Sequence, residues 1–384
     1  MAKPPISRKG RVLFLTIAYP PNPSAASVVH KHLLNQFDPR SFEVLTASWP
    51  GSKVIARPEG IKARIIYTSF EFYSRKIHRF FARFQKYTIQ WLLKYHVRRV
   101  KPVKLIIAFP DLYWLDVCTK YAVKKNIPFV AYLHDTIVEG TYAPDRKLLA
   151  QQVQERVFKH ARKVAVMSEG MRALYKRKYN LDSTAWEHIY PEKPVVIEVA
   201  KERRAHWSGD VYAINNYSVA RVNKAFESLN INFSISSGKS KAQLKGFGID
   251  GEHIQKVFYP ERADYLKSLC SASILLLGLN YPGECDVHED ELATIFSTKT
   301  PEYLGSGSLI VYHGPAHYFL AQFLIQHNCG VVIDTRDEAE IKAKIADIFE
   351  NPHRYAAMPV NALKTLHIFD PEQVCKKVIE TIDD

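Results

Sequence analysis

Lys299, Glu302 and Tyr303 are the side chains whose types and spacing most directly suggest chemistry in this 384-residue chain. They fall within about one helical turn, inside the stretch from Phe296 to Pro315. That stretch reads as a short helix, a glycine turn and a buried strand. Gly305 and Gly307 can supply the left-handed backbone that ends a helix, and Leu309, Ile310 and Val311 form the apolar run of a strand covered on both faces. A cation and a carboxylate at a helix start, facing the carboxyl end of a strand, can hold an anionic ligand. The competing reading is a surface ion pair on an ordinary helix. His134-Asp135 is a second candidate, because it follows the apolar run from Phe129 to Leu133. Residues at that end of a parallel strand point into a ligand crevice, although such a pair also serves as a cap or turn. The acidic run from Tyr281 to Asp290 holds Glu284, Asp286, His288, Glu289 and Asp290. Hard-metal sites need a loop geometry that this spacing does not supply. The run therefore reads as a solvated flap, and no metal is expected.

These groups must be positioned by alternating strands and helices. Arg11 to Ile17 reads as a buried strand, the proline-rich Ala18 to Ser24 as a turn, and Ser27 to Phe37 as a helix. Strand, turn and helix at the start is the opening of a Rossmann-like unit. Strands are expected at 42–47, 63–67, 103–109, 129–133 and 162–168. Helices are expected at 112–125, 146–160 with Asp145 as cap, and 169–179 with Ser168 as cap. Periodicity fades between Asn180 and Pro194, which reads as a linker. The alternation then restarts, with strands at 204–207, 232–235, 254–258, 273–277 and 330–333 and a last helix at 370–382. The expected domains are 1–190, carrying a basic aromatic helix at 74–100, then 191–368 and a C-terminal helix, 369–384.

Hydrophobic residues make up 47% and charged residues 24%, an ordinary globular balance that suits two domains. No apolar run of about 18 residues suggests a transmembrane helix, and the basic segment from Met1 to Lys9 lacks the apolar core of a secretory signal. The five cysteines have neither metal nor disulfide spacing, which fits a reducing cytoplasm. The net charge is +14, and ten Lys or Arg residues with no Asp or Glu lie between Arg75 and Lys104. Such a segment suits an anionic surface. Ile77, Phe80, Phe81, Phe84, Tyr87, Trp91, Leu92 and Tyr95 recur within it at helical spacing. That stripe reads as core-facing, with an interfacial helix as the alternative. Arg75, Arg79, Arg83 and Lys86 would form the membrane-facing rim. Aromatics among basic residues can also stack on bases, but their helical period argues against nucleic acid.

The pattern Lys299-x-x-Glu302-Tyr303-Leu304-x-x-Gly307 before a strand resembles the donor-site signature of GT-B glycosyltransferases, in the large retaining family that uses nucleotide sugars (glycosyltransferase family 4-like). The opening strand with Tyr19-Pro-Pro, and the segment with Ser168, Glu169, Gly170 and Tyr179, look like the same family. The resemblance implies an α/β fold with two Rossmann-like domains facing a central cleft, and a final helix that crosses back to the N-terminal domain. It implies that Glu302 binds the ribose diol, with Thr294 standing where the family usually has a second glutamate. It puts Ser24 and Ala25 in the small-residue loop that approaches the donor phosphate, with Ser208 and Gly209 in the phosphate loop of the second domain. Tyr259 falls in the loop that holds the nucleobase, and His134 and Asp135 beside the transferred sugar. Glu139 and Tyr142 would line the acceptor side.

The expected activity is transfer of a sugar, of hexosyltransferase type and with retention, from a nucleotide-diphosphate donor to an acceptor that is lipid-linked or at a membrane surface. Positioning and charge stabilisation would carry it, with Lys299 on the leaving diphosphate and no covalent nucleophile. No bound cofactor is implied; the nucleotide sugar is a substrate. The expected location is cytoplasmic, peripheral on the inner face of the membrane. The alternative is an inactive GT-B-like binding or scaffold protein, which the residue at Thr294 favours.

Overall fold

The computed structural model describes residues 11–19, 25–48, 62–67, 76–109, 111–141, 143–192 and 201–384, with backbone alone for 47–48, 62–67, 76–86 and 88. The chain divides into two compact units, Met1–Ile189 with Pro371–Asp384, and Tyr190–Asp370.

In the first unit the elements run β1 (Val12–Thr16), α1 (Ala25–Leu34), β2 (Phe42–Ser48), β3 (Lys62–Tyr67), α2 (Lys76–Val100), β4 (Lys104–Phe109), α3 (Leu112–Lys125), β5 (Phe129–Leu133), α4 (Pro144–His160), β6 (Lys163–Val166), α5 (Glu169–Tyr179) and β7 (Thr184–Ala185). The sheet order is β3-β2-β1-β4-β5-β6-β7, and every pairing is parallel. β1, β4 and β5 are buried along their whole length, as a sheet covered by helices on both faces requires. Short polar side chains start the helices. Asp111 accepts from the Trp114 amide at 2.7 Å, and Ser168 caps α5 as anticipated, accepting from the Met171 amide at 3.2 Å. Asp145 is not the cap of α4. Ala143 holds that position and Pro144 opens the helix, leaving Asp145 in the first turn.

The helix Pro371–Asp383 completes this unit's core. Val374, Cys375, Val378 and Ile382 are buried against the sheet cluster. Lys377 pairs with Glu187 at 2.7 Å, and the Trp186 indole donates to Thr381 Oγ1 at 3.1 Å.

α2 turns its faces differently from the sequence expectation. Ile89, Leu93, His96 and Val100 are buried, whereas Tyr87, Trp91 and Tyr95 are exposed. The buried set follows the i, i+4, i+7, i+11 spacing of one stripe, and the aromatic set i, i+4, i+8 lies on another.

The second unit repeats the pattern with β8 (Glu202–Ser208), α6 (Asn216–Ser228), β9 (Asn232–Ser236), α7 (Lys241–Gly246), β10 (Ile254–Lys256), α8 (Arg262–Ser271), β11 (Ala272–Gly278), α9 (Glu289–Thr294), α10 (Thr300–Leu304), β12 (Leu309–His313), α11 (Phe319–Gln326), β13 (Val331–Ile333), α12 (Glu338–Glu350) and α13 (Ala357–Thr365). Its parallel sheet runs β10-β9-β8-β11-β12-β13. Both sheets reverse direction beside their first strand, the Rossmann order, and ligands of such sheets bind at the carboxyl ends near that reversal. Of the two glycines expected to end α10, only Gly307 is left-handed (φ 67). Gly305 keeps a right-handed backbone (φ −78); a side chain there would begin 2.8 Å from the Tyr190 hydroxyl.

Buried Arg204 ties three elements of this unit together. Its guanidinium donates to Ser234 Oγ on β9 at 3.0 Å, and to the Ser268 carbonyl and Ser271 Oγ on α8 at 2.9 and 2.6 Å. Arg204→Ala leaves those acceptors buried without their donor. A loss of about 3 kcal/mol is expected, measured as a lower urea midpoint with unchanged slope.

Candidate functional site

The carboxyl end of β8 gathers the main cluster of the second unit. Gly209 takes a left-handed backbone (φ 91), which glycine adopts without steric cost, and this bends the chain sharply after Ser208. The Trp207 indole donates to the Gly209 carbonyl at 2.8 Å, and the Tyr303 hydroxyl accepts from the Ser208 amide at 2.9 Å. Lys299, the residue that precedes α10, lies with Nζ 3.5 Å from the centre of the Trp207 ring and donates to the Ser208 carbonyl. Burial lowers its ammonium to about 7, although Glu302 and Asp210 act to raise it. It is therefore a cation held at the turn and poised near neutral pH.

Glu302 stands one helical turn further on. Arg262 Nη1 donates to its Oε1 at 2.5 Å, and the Tyr265 hydroxyl donates to its Oε2 at 2.7 Å. Each oxygen of an ionised carboxylate can accept about two hydrogen bonds, so both retain capacity for a vicinal diol. Arg262 also donates from Nε to Glu192 at 3.0 Å, and the Tyr265 hydroxyl lies 3.0 Å from Ser208 Oγ. Burial raises the Tyr265 phenol well above its ordinary value, and Glu302 adds to the shift, so it remains a donor. Tyr259 Oη is 2.6 Å from Ser268 Oγ, fixing its loop to α8, with its ring 6.0 Å from that of Tyr265. His206, fully buried, has Nε2 3.0 Å from Ser208 Oγ. Burial lowers it to about 3, with Arg204 and Lys299 acting in the same direction.

In the first unit His134 directly follows β5. Its Nε2 is 2.6 Å from Nε2 of His30 on α1. His30 Nδ1 is 2.5 Å from the Ala18 carbonyl. Burial lowers His30 to about 4, opposed by that carbonyl, and holds His134 well below its usual range, with His30 and His188 adding to the effect. Asp135 is exposed.

The structure thus brings Lys299, Glu302, Tyr303, Ser208 and Gly209 together, with Tyr259 at the edge of the same cluster. Other expected residues lie elsewhere. Glu139 is buried, with its first oxygen held by Lys178 at 2.8 Å and by the Tyr179 hydroxyl at 2.5 Å, both on α5. Ser24, Tyr142 and Arg75 lie outside the described residues, as do the side chains of Arg79, Arg83 and Lys86. Ala25 is the first residue of α1. Thr294 ends α9 with its hydroxyl on the Asp290 and Glu291 carbonyls, 3.1 and 3.0 Å away. In the acidic run Asp286, His288 and Glu289 are exposed, while Glu284 pairs with Arg221 and with Arg336, the latter at 3.6 Å. Sequence reasoning missed Arg262, Tyr265, Trp207, His206 and His30. The i, i+3 spacing of Arg262 and Tyr265 on one helix was the available signal.

No protein-family model and no curated protein sequence matches the chain. Solved structures do match in shape. Sucrose-phosphate synthase from Thermosynechococcus elongatus superposes with a TM-score of 0.70 at 11% identity, over 96% of this chain and 98% of that one. Anabaena HepE in complex with UDP gives 0.68 at 11% identity, over 97% and 99%. WaaG, a glycosyltransferase involved in lipopolysaccharide biosynthesis, gives 0.63 at 14% identity, over 96% and 98%. The chain has the GT-B fold.

Three buried histidines make stability depend on acid. His30, His206 and His313 are lowered by burial to about 4, 3 and 4, below the value of about 6.5 in an unfolded chain. The unfolded state binds the extra protons, so stability is full above pH ~6.5 and falls as pH drops toward 4. Each histidine contributes a slope of up to about 1.4 kcal/mol per pH unit. Urea unfolding at pH 7 and pH 5 should show the loss; equal midpoints would contradict burial of neutral imidazoles.

Proposed function

We propose that this protein is a retaining glycosyltransferase of hexosyltransferase type that moves a sugar from a nucleotide-diphosphate donor. The observation that carries the reading is the Lys299–Glu302 pair beside the Ser208–Gly209 turn, at the strand end where such sheets hold ligands. Glu302, oriented by Arg262 and Tyr265, accepts from the ribose diol. Lys299 offsets the charge that develops on the leaving diphosphate, which is electrostatic catalysis by a preorganised cation. His134 contacts a hydroxyl of the sugar. HepE in complex with UDP and glucose, a protein of the same fold, supports a uridine donor as the first to test.

Calorimetric titration with uridine, guanosine and thymidine diphosphates tests the donor site. One of them should bind, and Glu302→Ala should weaken that binding and abolish turnover with the fold intact. Above pH ~7 the affinity should fall by up to about ten-fold per unit as Lys299 loses its proton, and Lys299→Arg should flatten that dependence because arginine stays charged. Absence of binding to all three would sink the reading. It would favour a GT-B-like scaffold instead, a reading supported by Thr294 standing where the family's usual second glutamate is.

The proposed acceptor is lipid-linked or at a membrane surface, and the protein peripheral on the inner face of the membrane. Support comes from α2, where Trp91 and Tyr95 stack with centroids 6.3 Å apart. With Lys94, Arg98 and Arg99 they line a surface pocket of ≈ 480 Å³. Exposed aromatics beside basic residues suit a headgroup layer. Flotation with anionic vesicles should be salt-sensitive, and changing Arg98 and Arg99 to Gln together should weaken it roughly ten-fold or more. Equal binding to neutral vesicles would contradict this.

A further inference from the structure

Two imidazoles that meet edge to edge at 2.6 Å cannot both carry a proton on the facing nitrogens, and they cannot both lack one without losing the hydrogen bond. His30 and His134 meet in this way, Nε2 to Nε2. The opposite nitrogen of His30 resolves the ambiguity. Its partner at 2.5 Å is the Ala18 carbonyl, which only accepts, so His30 Nδ1 carries a proton. His30 has no exposed surface, and burial disfavours a second proton on the ring. Its Nε2 is therefore a lone pair, and the shared proton belongs to His134 Nε2. Neutral His134 then has a bare Nδ1, which has no hydrogen-bond partner among the described residues.

The neighbours hold this arrangement in place. Thr16 Oγ1 accepts from the Ala18 amide at 2.9 Å and lies 3.2 Å from His30 Nδ1. Phe14 packs edge-on against His30 at 5.0 Å, and Tyr132 lies 4.4 Å from the His134 ring. The loop after β1 is thus linked through α1 to the end of β5.

We propose that His30 is a positioning residue that fixes His134 as the Nε2–H tautomer, so that His134 Nδ1 presents a hydrogen-bond acceptor to a hydroxyl of the bound sugar. The sugar half of this assignment rests on the glycosyl-transfer reading; the tautomer half does not. A histidine beside a sugar could otherwise donate or accept. Here a backbone carbonyl two residues beyond β1 decides which, by way of one buried ring.

The test uses the full-length chain with ¹⁵N-labelled histidine and two-bond proton–nitrogen correlation spectra at neutral pH, without ligand. The His134 signal is identified by its loss in His134→Gln. The expected result is a protonated Nε2 and an unprotonated Nδ1. In His30→Leu the signal should move toward a mixture of tautomers. In His30→Gln, whose amide can still donate to Ala18 and accept from His134, the Nε2–H form should persist. A wild-type Nδ1–H form, or an unchanged His134 signal in folded His30→Leu, overturns the proposal. If His30→Leu does not fold, the wild-type and His30→Gln spectra decide it.

With a donor that turns over, His30→Leu should lower kcat about ten-fold, the worth of one hydrogen bond, with the donor KM unchanged and His30→Gln largely restored. Equal kcat in His30→Leu overturns the sugar half. The expected spectra with no turnover of any donor by the wild type would instead support the tautomer half and defeat the glycosyl-transfer reading.

Discussion

The second unit depends on the buried guanidinium of Arg204. A charge removed from water must have its donors matched, or it costs several kcal/mol. Arg204 meets that demand with serines from β9 and α8 and with Glu202 at 2.8 Å. This fixes the start of β8 against α8. α8 carries Arg262 and Tyr265, which reach Glu302. The orientation of the candidate ribose ligand is therefore set by a cation whose place in the sequence is close to none of the site residues on α10.

The two units gather different kinds of group at their sheet reversals. The second unit places ionic groups at its sheet reversal, with a lysine over an indole face and a carboxylate between an arginine and a phenol. The first places neutral imidazoles there, kept neutral by burial.

Much of the fold was legible because its signals are local. Runs such as VLFLT in β1 and ILLLG at the end of β11 announce buried parallel strands, and Ser168 announces a helix start. Lys299 and Glu302 were legible for the same reason, since three positions separate them. Glu302 and Arg262 are 40 positions apart, and His30 and His134 are 104 apart. No periodicity reports a contact of that kind. A histidine on an amphipathic helix such as α1 looks like any other core residue. On α2 two apolar stripes lie a fraction of a turn apart, and composition alone did not say that the aromatic one, Tyr87, Trp91 and Tyr95, is the one left outside.

The helix Pro371–Asp383 has a bearing on how the protein is made. Its residues close the core of the first unit, yet the ribosome delivers them only after the whole second unit has been synthesised. Domains commonly fold in the order in which they emerge. Here the last packing of the earlier unit waits until the later one has been synthesised. The first unit is thus begun first and finished last.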